Sequence, residues 1–171
     1  MSPEIKKELE KMRGKIPPNF LFNIVRSLYF QTAWELPKNL FEAGVNKDLI
    51  WNLQLEIAKK TGIQGANSIK GFQFSGSELE KLVKYFMFAA LNMGVNSSVI
   101  FVNPEECELI FKKNCGHGLK IKEYGLPFTC SEWCKEHFSA ELHALNPHFI
   151  IKLLEGLPQG KKFCKFKIFK L

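Results

Sequence analysis

Two spacings of apolar residues divide this chain. Up to Gly94 they recur every three to four positions, as on one face of a helix; beyond it they alternate with polar residues, as in a half-buried strand. Residues 3–13, PEIKKELEKMR, read as a short charged helix that Gly14 ends. Pro17 and Pro18 interrupt the chain before NFLFNIVRSLYFQTAWE. There Phe20, Ile24, Leu28 and Thr32 form a stripe, widened by Leu21, Phe22 and Val25, and predict a buried helix. NKDLIWNLQLEIAKKTG predicts a helix capped by Asn46, with Leu49, Ile50, Leu53 and Ile57 on its apolar side and Gly62 as its stop. GANSIKGF adds a turn of helix. SGSELEKLVKYFMFAALNMG then opens on Ser77 three residues before Glu80, a capping-box pattern, and ends at Gly94.

In the second half, NSSVIFVN predicts a strand closed by Asn103-Pro104, and CELIFKKN places Cys107, Leu109 and Phe111 on one face of another. The Gly-rich passage CGHGLKIKEYGLP predicts a loop. A helix follows from about Thr129 to Leu145, stopped by Asn146-Pro147. HFIIKLLEG and KKFCKFKIFK are the last two strands, joined by a turn at LPQG. Cys164, Phe166 and Ile168 alternate with Lys165 and Lys167, which reads as an edge strand whose lysines discourage pairing with other chains. The fold class is α+β: a helical part, residues 1–94, packed on an antiparallel sheet from a β-β-α-β-β part, residues 95–171, in one domain.

Composition narrows the function classes. At 171 residues and 46% apolar, the chain has material for one core. The formal charge of +7 is spread along it, with a local excess only in KKFCKFKIFKL, five lysines and no acid. No motif supports nucleic-acid binding through those lysines. Five cysteines in no regular framework, behind a start without the features of a signal peptide, predict reduced thiols and a cytoplasmic location. No apolar run is long enough to span a bilayer, so no membrane insertion is expected. Neither a G-x-G-x-x-G turn nor a P-loop is present. Sixteen phenylalanines and three tryptophans supply a large aromatic core or flat faces for a small organic ligand. An exposed apolar helix face would allow two copies to associate as a homodimer.

FTCSEWCKEHFSAELHALNPH, residues 128–148, concentrates the chemistry. It holds two of the five cysteines and three of the four histidines. On a helix Cys130 and Cys134 stand one turn apart and His137 lies three residues further on the same face. Trp133, Phe138, Leu142 and Leu145 form the adjoining apolar stripe. With Thr129 as N-cap, Cys130 falls in the first turn, where unpaired N–H groups and the helix dipole favour a thiolate. Three readings stay open. The cysteines pack as small hydrophobes. Or Cys130 and Cys134 bind zinc or an iron–sulfur cluster with partners from Cys115, His117, His137 and Cys164. Or Cys130 or Cys134 is a nucleophile with His137 or His143 as base. His117, between Gly116 and Gly118, sits where backbone approaches a ligand closely. With Trp133 and Phe166 it makes a candidate binding set.

The segments NCG, YGLPFTCSEWCKEH and ALNPHFIIKLLEGLPQGKKFCKFKI resemble the C-terminal half of the L-2-amino-thiazoline-4-carboxylic acid hydrolase-like family. The matching positions are Cys115, Gly125 to Pro127, Cys130, Cys134, Asn146-Pro147, Gly160, Cys164 and Phe166. More loosely, the ending is similar to the 4-vinyl reductase-type domain, which shares its fold with haem-NO-binding and TRAPP-type trafficking proteins. These resemblances imply an α+β pocket for a small organic molecule. The first implies a hydrolase acting on a non-peptide C–N bond of a cyclic compound, for which the helix's own chemistry offers Cys130, Cys134 and His137 as catalytic residues, His137 standing where that family tends to carry an acid; the second implies a ligand-binding or sensing domain. Some sensory members of the second group bind zinc through a helix cysteine and a last-strand cysteine, where Cys130 and Cys164 fall. Cys115, Cys130, Cys134 and Cys164 are thus the alternative metal set.

Overall fold

The computed structural model describes residues 18–112, 115–156 and 163–171. In chain order these form helices α1 (Pro18–Glu42), α2 (Lys47–Ile69) and α3 (Glu78–Asn92), strands β1 (Ser97–Asn103) and β2 (Glu106–Lys112), helices α4 (Gly116–Glu123) and α5 (Cys130–Leu145), and strands β3 (Phe149–Glu155) and β4 (Phe163–Lys170). Every strand pair is antiparallel and the order is β1-β2-β4-β3, so the fold is α+β. The charged helix expected at residues 3–13 and the LPQG turn lie outside the described residues.

Period-two patterning builds the sheet as expected. Cys107, Leu109 and Phe111 of β2 and Cys164, Phe166 and Ile168 of β4 are buried on one face, against α3 and α5. Burying side chains of this size stabilises by roughly 1.5–3 kcal/mol each. β4 is not an edge strand, however. It lies between β2 and β3, and its outward lysines pair with acids of β2, Lys165 with Glu108 at 3.1 Å and Lys167 with Glu106 at 2.9 Å. Opposite charges on neighbouring central strands serve pairing rather than its avoidance.

The helix ends follow local chemistry. Asn46 accepts from the N–H groups of Asp48 and Leu49. The Ser77–Glu80 capping box forms in both directions. Gly94, at φ +64°, closes α3 with a Schellman pair of bonds, from Val95 N–H to the Ala90 carbonyl and from Gly94 N–H to that of Leu91.

Three further expectations fail. Ile24, Val25 and Leu28 of α1 face outward, while Phe30, Trp34 and Pro37 are buried. Gly62 does not end α2, which continues to Ile69. A Cβ on Gly62 would collide with the His137 carbonyl oxygen, so this glycine serves the close approach of α5. The buried face of α2 is accordingly Gln54, Ala58, Gly62 and Ala66 with Ile50 and Ile69, and Leu49, Leu53 and Ile57 are exposed. Finally, the Gly-rich passage contains α4. Gly116 lies under the Phe30 ring with no room for a Cβ, and Gly118 lies against the Cys130 sulfur. The second half therefore reads β-β-α-α-β-β.

Candidate functional site

A cavity of about 100 Å³ opens where α1, α3, α4, α5 and the facing ends of β2 and β4 meet. Its floor is aromatic. Phe138 of α5 lies edge-on to Phe86 of α3 and Phe166 of β4, with ring centroids 5.5 and 5.1 Å away, and tilted against Phe111 of β2 at 5.4 Å. Ala89, Ala90 and Met93, on one face of α3, supply an aliphatic side, and Phe30 of α1 closes another. The polar wall consists of Cys115, His117, Cys134, His137 and Cys164, with Lys112 at the end of β2.

His117, expected in a loop, occupies the first turn of α4 and is buried. Its Nδ1 accepts a hydrogen bond of 3.0 Å from Nε1–H of Trp34, a fully buried side chain. The ring proton therefore resides on Nε2. Burial, and secondarily His137, holds its pKa down at about 3. Its ring stacks at a tilt on Trp133, centroids 4.1 Å apart, and Trp133 in turn stacks on His137 at 4.9 Å.

The tautomer of His137 is the opposite one. Its Nδ1 lies 3.2 Å from the Ala58 carbonyl oxygen, which can only accept, and 3.1 Å from Thr61 Oγ1, whose own hydrogen is directed to the Ile57 and Ala58 carbonyls. Nδ1 thus carries the proton and Nε2 the lone pair. Burial lowers the pKa to about 4 against the opposing effect of the Ala58 bond. One turn on, Glu141 is 2% exposed, and burial lifts its pKa to about 8, so at neutral pH it is a carboxylic acid. Its Oε2 stands 3.8 Å from His137 Nε2, too far to hydrogen-bond, and finds no hydrogen-bond partner among the described residues.

All five cysteines are thiols rather than disulfides. The first-turn argument for a Cys130 thiolate meets a larger opposing effect. Cys130 is buried among Trp34, Ala58, Ile121, Leu126 and Trp133, its pKa is pushed up to about 12 chiefly by that burial, and it does not line the cavity. Thr129 stands at the N-cap but makes no side-chain capping bond. Cys134 does line the cavity. Its pKa is well above the usual thiol value because it hydrogen-bonds to Cys115 and is buried. Cys115, at the N-cap of α4, takes the opposite shift. The Cys134 thiol and then the backbone N–H groups of Gly118 and His117 outweigh burial, although the sulfur closes no standard capping bond.

The sequence-predicted residues Cys134, His137, Trp133, His117, Phe166, Cys115 and Cys164 thus share one cavity wall, while Cys130 lies behind it and His143 is exposed. Among the described residues no group of three or more His, Cys, Asp or Glu side chains is placed to hold a metal ion, which leaves the alternative four-cysteine metal set without support. No described helix is long and apolar enough to cross a membrane. Sequence reasoning missed Phe30, Trp34, Thr61 and Glu141. Glu141 had a signal, a lone acid on the apolar side of α5; Trp34 and Thr61 act through partners over seventy residues distant in the chain.

No protein-family model matches the chain, and no curated protein does. Among solved structures, the chain is similar to the phenol-responsive sensory domain of the transcription activator PoxR with phenol. The TM-score is 0.60 and the identity 13%, over 82% of this chain and 74% of that one. It is also similar to a trafficking protein particle complex subunit 3 from Naegleria fowleri covalently bound to palmitic acid, with a TM-score of 0.58 and 14% identity over 87% of this chain and 96% of that one. At these identities the likeness is one of fold: an α+β fold in which both neighbours hold a small molecule.

Proposed function

We propose that this chain is a non-enzymatic small-ligand-binding domain whose occupant is a compact, largely apolar molecule of about one ring. The aromatic-walled cavity of about 100 Å³ carries the reading. The cavity is smaller than the ~150 Å³ apolar cavity known to bind benzene, which caps its occupant at about one ring, and binding sites of this kind combine apolar walls with a few fixed polar groups. Here those groups are two neutral histidines of opposite tautomer. Both line the cavity as neutral rings, which suits a ligand with one hydroxyl or one carbonyl better than an ion. The phenol held by the PoxR sensory domain is of this class. The hydrolase reading draws no such support, because burial keeps Cys130 a thiol, Cys115 and then burial keep Cys134 one, and His137 commits its one proton to the backbone.

Titration of the protein with phenol, followed by tryptophan fluorescence and calorimetry, tests the proposal. Saturable binding at one molecule per chain is expected, with Trp133 reporting it. Ala90→Leu, which fills the α3 side of the cavity, should abolish binding while leaving the unfolding transition cooperative. Absence of saturation with phenol, toluene and indole up to their solubility would sink the reading, and unchanged binding in Ala90→Leu would put the ligand elsewhere.

A further inference from the structure

The ligand-binding reading does not use the contact between Cys115 and Cys134. These thiols come from different elements, the N-cap of α4 and the second turn of α5. Each is the largest influence on the other's proton, and both line the cavity. They are part-exposed although they lie deep among other atoms, because the cavity supplies their open side. Two features make the pair asymmetric. Cys115 stands at the N-cap of α4, where the start of a helix favours negative charge on sulfur. Cys134, in the second turn of α5, is held as a thiol by Cys115 and by burial. Tyr29 of α1 is close enough for negative charge on either sulfur to oppose loss of its own phenolic proton, which burial already resists, its pKa standing at about 12, so it stays a neutral neighbour.

We propose that Cys115 and Cys134 are a redox pair built into the cavity wall, in which Cys115 is oxidised by a small hydroperoxide and Cys134 resolves it to a disulfide. In the first step the Cys115 thiolate attacks the outer peroxide oxygen. The O–O bond breaks, an S–O bond forms, and the leaving oxygen departs with its electron pair as water or an alcohol after taking a proton. Cys115 is now a sulfenic acid. In the second step the Cys134 sulfur displaces the hydroxyl group from Cys115, the S–S bond forms, and the Cys134 proton leaves with the hydroxyl as a second water. Two thiols and one hydroperoxide become one disulfide, one water and one water or alcohol. An external thiol reverses the change.

A low-lying thiolate beside a protonated resolving thiol is the arrangement this chemistry needs, and the cavity gives the oxidant its path. Of the other two clustered cysteines, Cys130 lies behind the wall against Gly118, and Cys164 reaches the cavity from β4. The proposal stands independently of which ligand the cavity holds.

One equivalent of hydrogen peroxide added to the native full chain, quenched by alkylation and mapped by mass spectrometry without reductant, tests it. The expected product has lost two hydrogens, joins the peptides of Cys115 and Cys134, and reverts with dithiothreitol. Cys134→Ser should instead accumulate sulfenic or sulfinic acid on Cys115, and Cys107→Ser should cross-link as the wild type does. A cross-link to Cys130 or Cys164 instead, or peroxide leaving all five thiols intact, would overturn the proposal. Labelling the unmutated protein with a tenth of an equivalent of iodoacetamide at pH 7 requires no variant to fold. Cys115 should take most of the label, and preferential labelling of any other cysteine would equally overturn the pair.

Discussion

Strand β4 and helix α2 relate hydrophobicity to burial in opposite ways. In β4 every second residue, Cys164, Phe166 and Ile168, is apolar and inside, and the lysines between them are outside. In α2 the large apolar residues Leu49, Leu53 and Ile57 are outside, and a ridge of Gln54, Ala58, Gly62 and Ala66 is inside. What differs is the distance of approach. A sheet face is filled by side chains standing off the backbone, so size and burial go together. α2 lies against α5 with backbone near backbone, and a seam that close selects for small volume rather than for hydrophobicity. The same seam buries a carboxylic acid, Glu141, opposite Gly65.

The largest expected effect belongs to that acid. Its pKa is about 8 when folded against an ordinary 4.5. Between those values the folded state holds a proton that the unfolded chain has released, so stability contributed by this group falls as pH rises from about 4.5 to 8 and is level above. The total is on the order of 5 kcal/mol. Urea unfolding of the wild type and of Glu141→Gln from pH 4.5 to 9 isolates it, since His117, His137 and Cys115 titrate in both proteins. The wild type should lose ground steadily against the variant over that window. A difference independent of pH would mean that Glu141 is ionised in the folded protein, and the seam would then be wetter than β4's interior.

On the sheet side, Leu109→Ala should destabilise by about 3 kcal/mol, the cost of a cavity opposite Phe166 in a fully buried layer. Within the α2 seam the two glycines should part in sign. Gly62→Ala sets a Cβ against the His137 carbonyl oxygen, which cannot swing away, and should cost about 2 kcal/mol after its gain in helix propensity. It should also shift His137 and with it any ligand affinity. At Gly65 the nearest atom to a new Cβ is Glu141 Oε1 at 3.6 Å, ordinary contact, so Gly65→Ala should stabilise by about 1 kcal/mol. Equal effects at the two positions would remove the close-approach account of α2.

This contrast also explains what was legible in the sequence. Period two assigns strand faces without ambiguity, so the inward residues of β2 and β4 were readable, and the capping groups Asn46, Ser77 and Glu80 act within three residues of themselves. The rank of β4 in the sheet was not, because alternating lysines serve an edge strand and a cross-strand ion ladder alike, and only Glu106 and Glu108 opposite them decide it. In the site, helical spacing brought Cys134 and His137 together correctly. It could not show that Cys130, one turn earlier, lies behind the wall, nor that Gly116 and Gly118 flank His117 so that a helix can press against Phe30 and Cys130. Those facts depend on helices α1 and α2, whose apolar stripes point away from the core and so gave the wrong inside.

The smallest effect tests that outward stripe. Leu53 is 52% exposed, between Leu49 and Ile57 on the face of α2 turned away from α5. Replacing it with lysine removes little buried area and adds a solvated charge to an exposed helix position, so measured at low protein concentration Leu53→Lys should change the unfolding free energy by less than about 0.5 kcal/mol. The same substitution in β4's terms, Ile168→Lys, would strand a charge in the core. If a second copy covers the stripe at higher concentration, the cost of Leu53→Lys will grow with concentration while its value in the dilute limit stays near zero. Sedimentation of both proteins over that range separates the two contributions. A large cost already present in the dilute limit would show that α2's outward leucines are part of the single chain's own core, and the opposition between α2 and β4 would disappear.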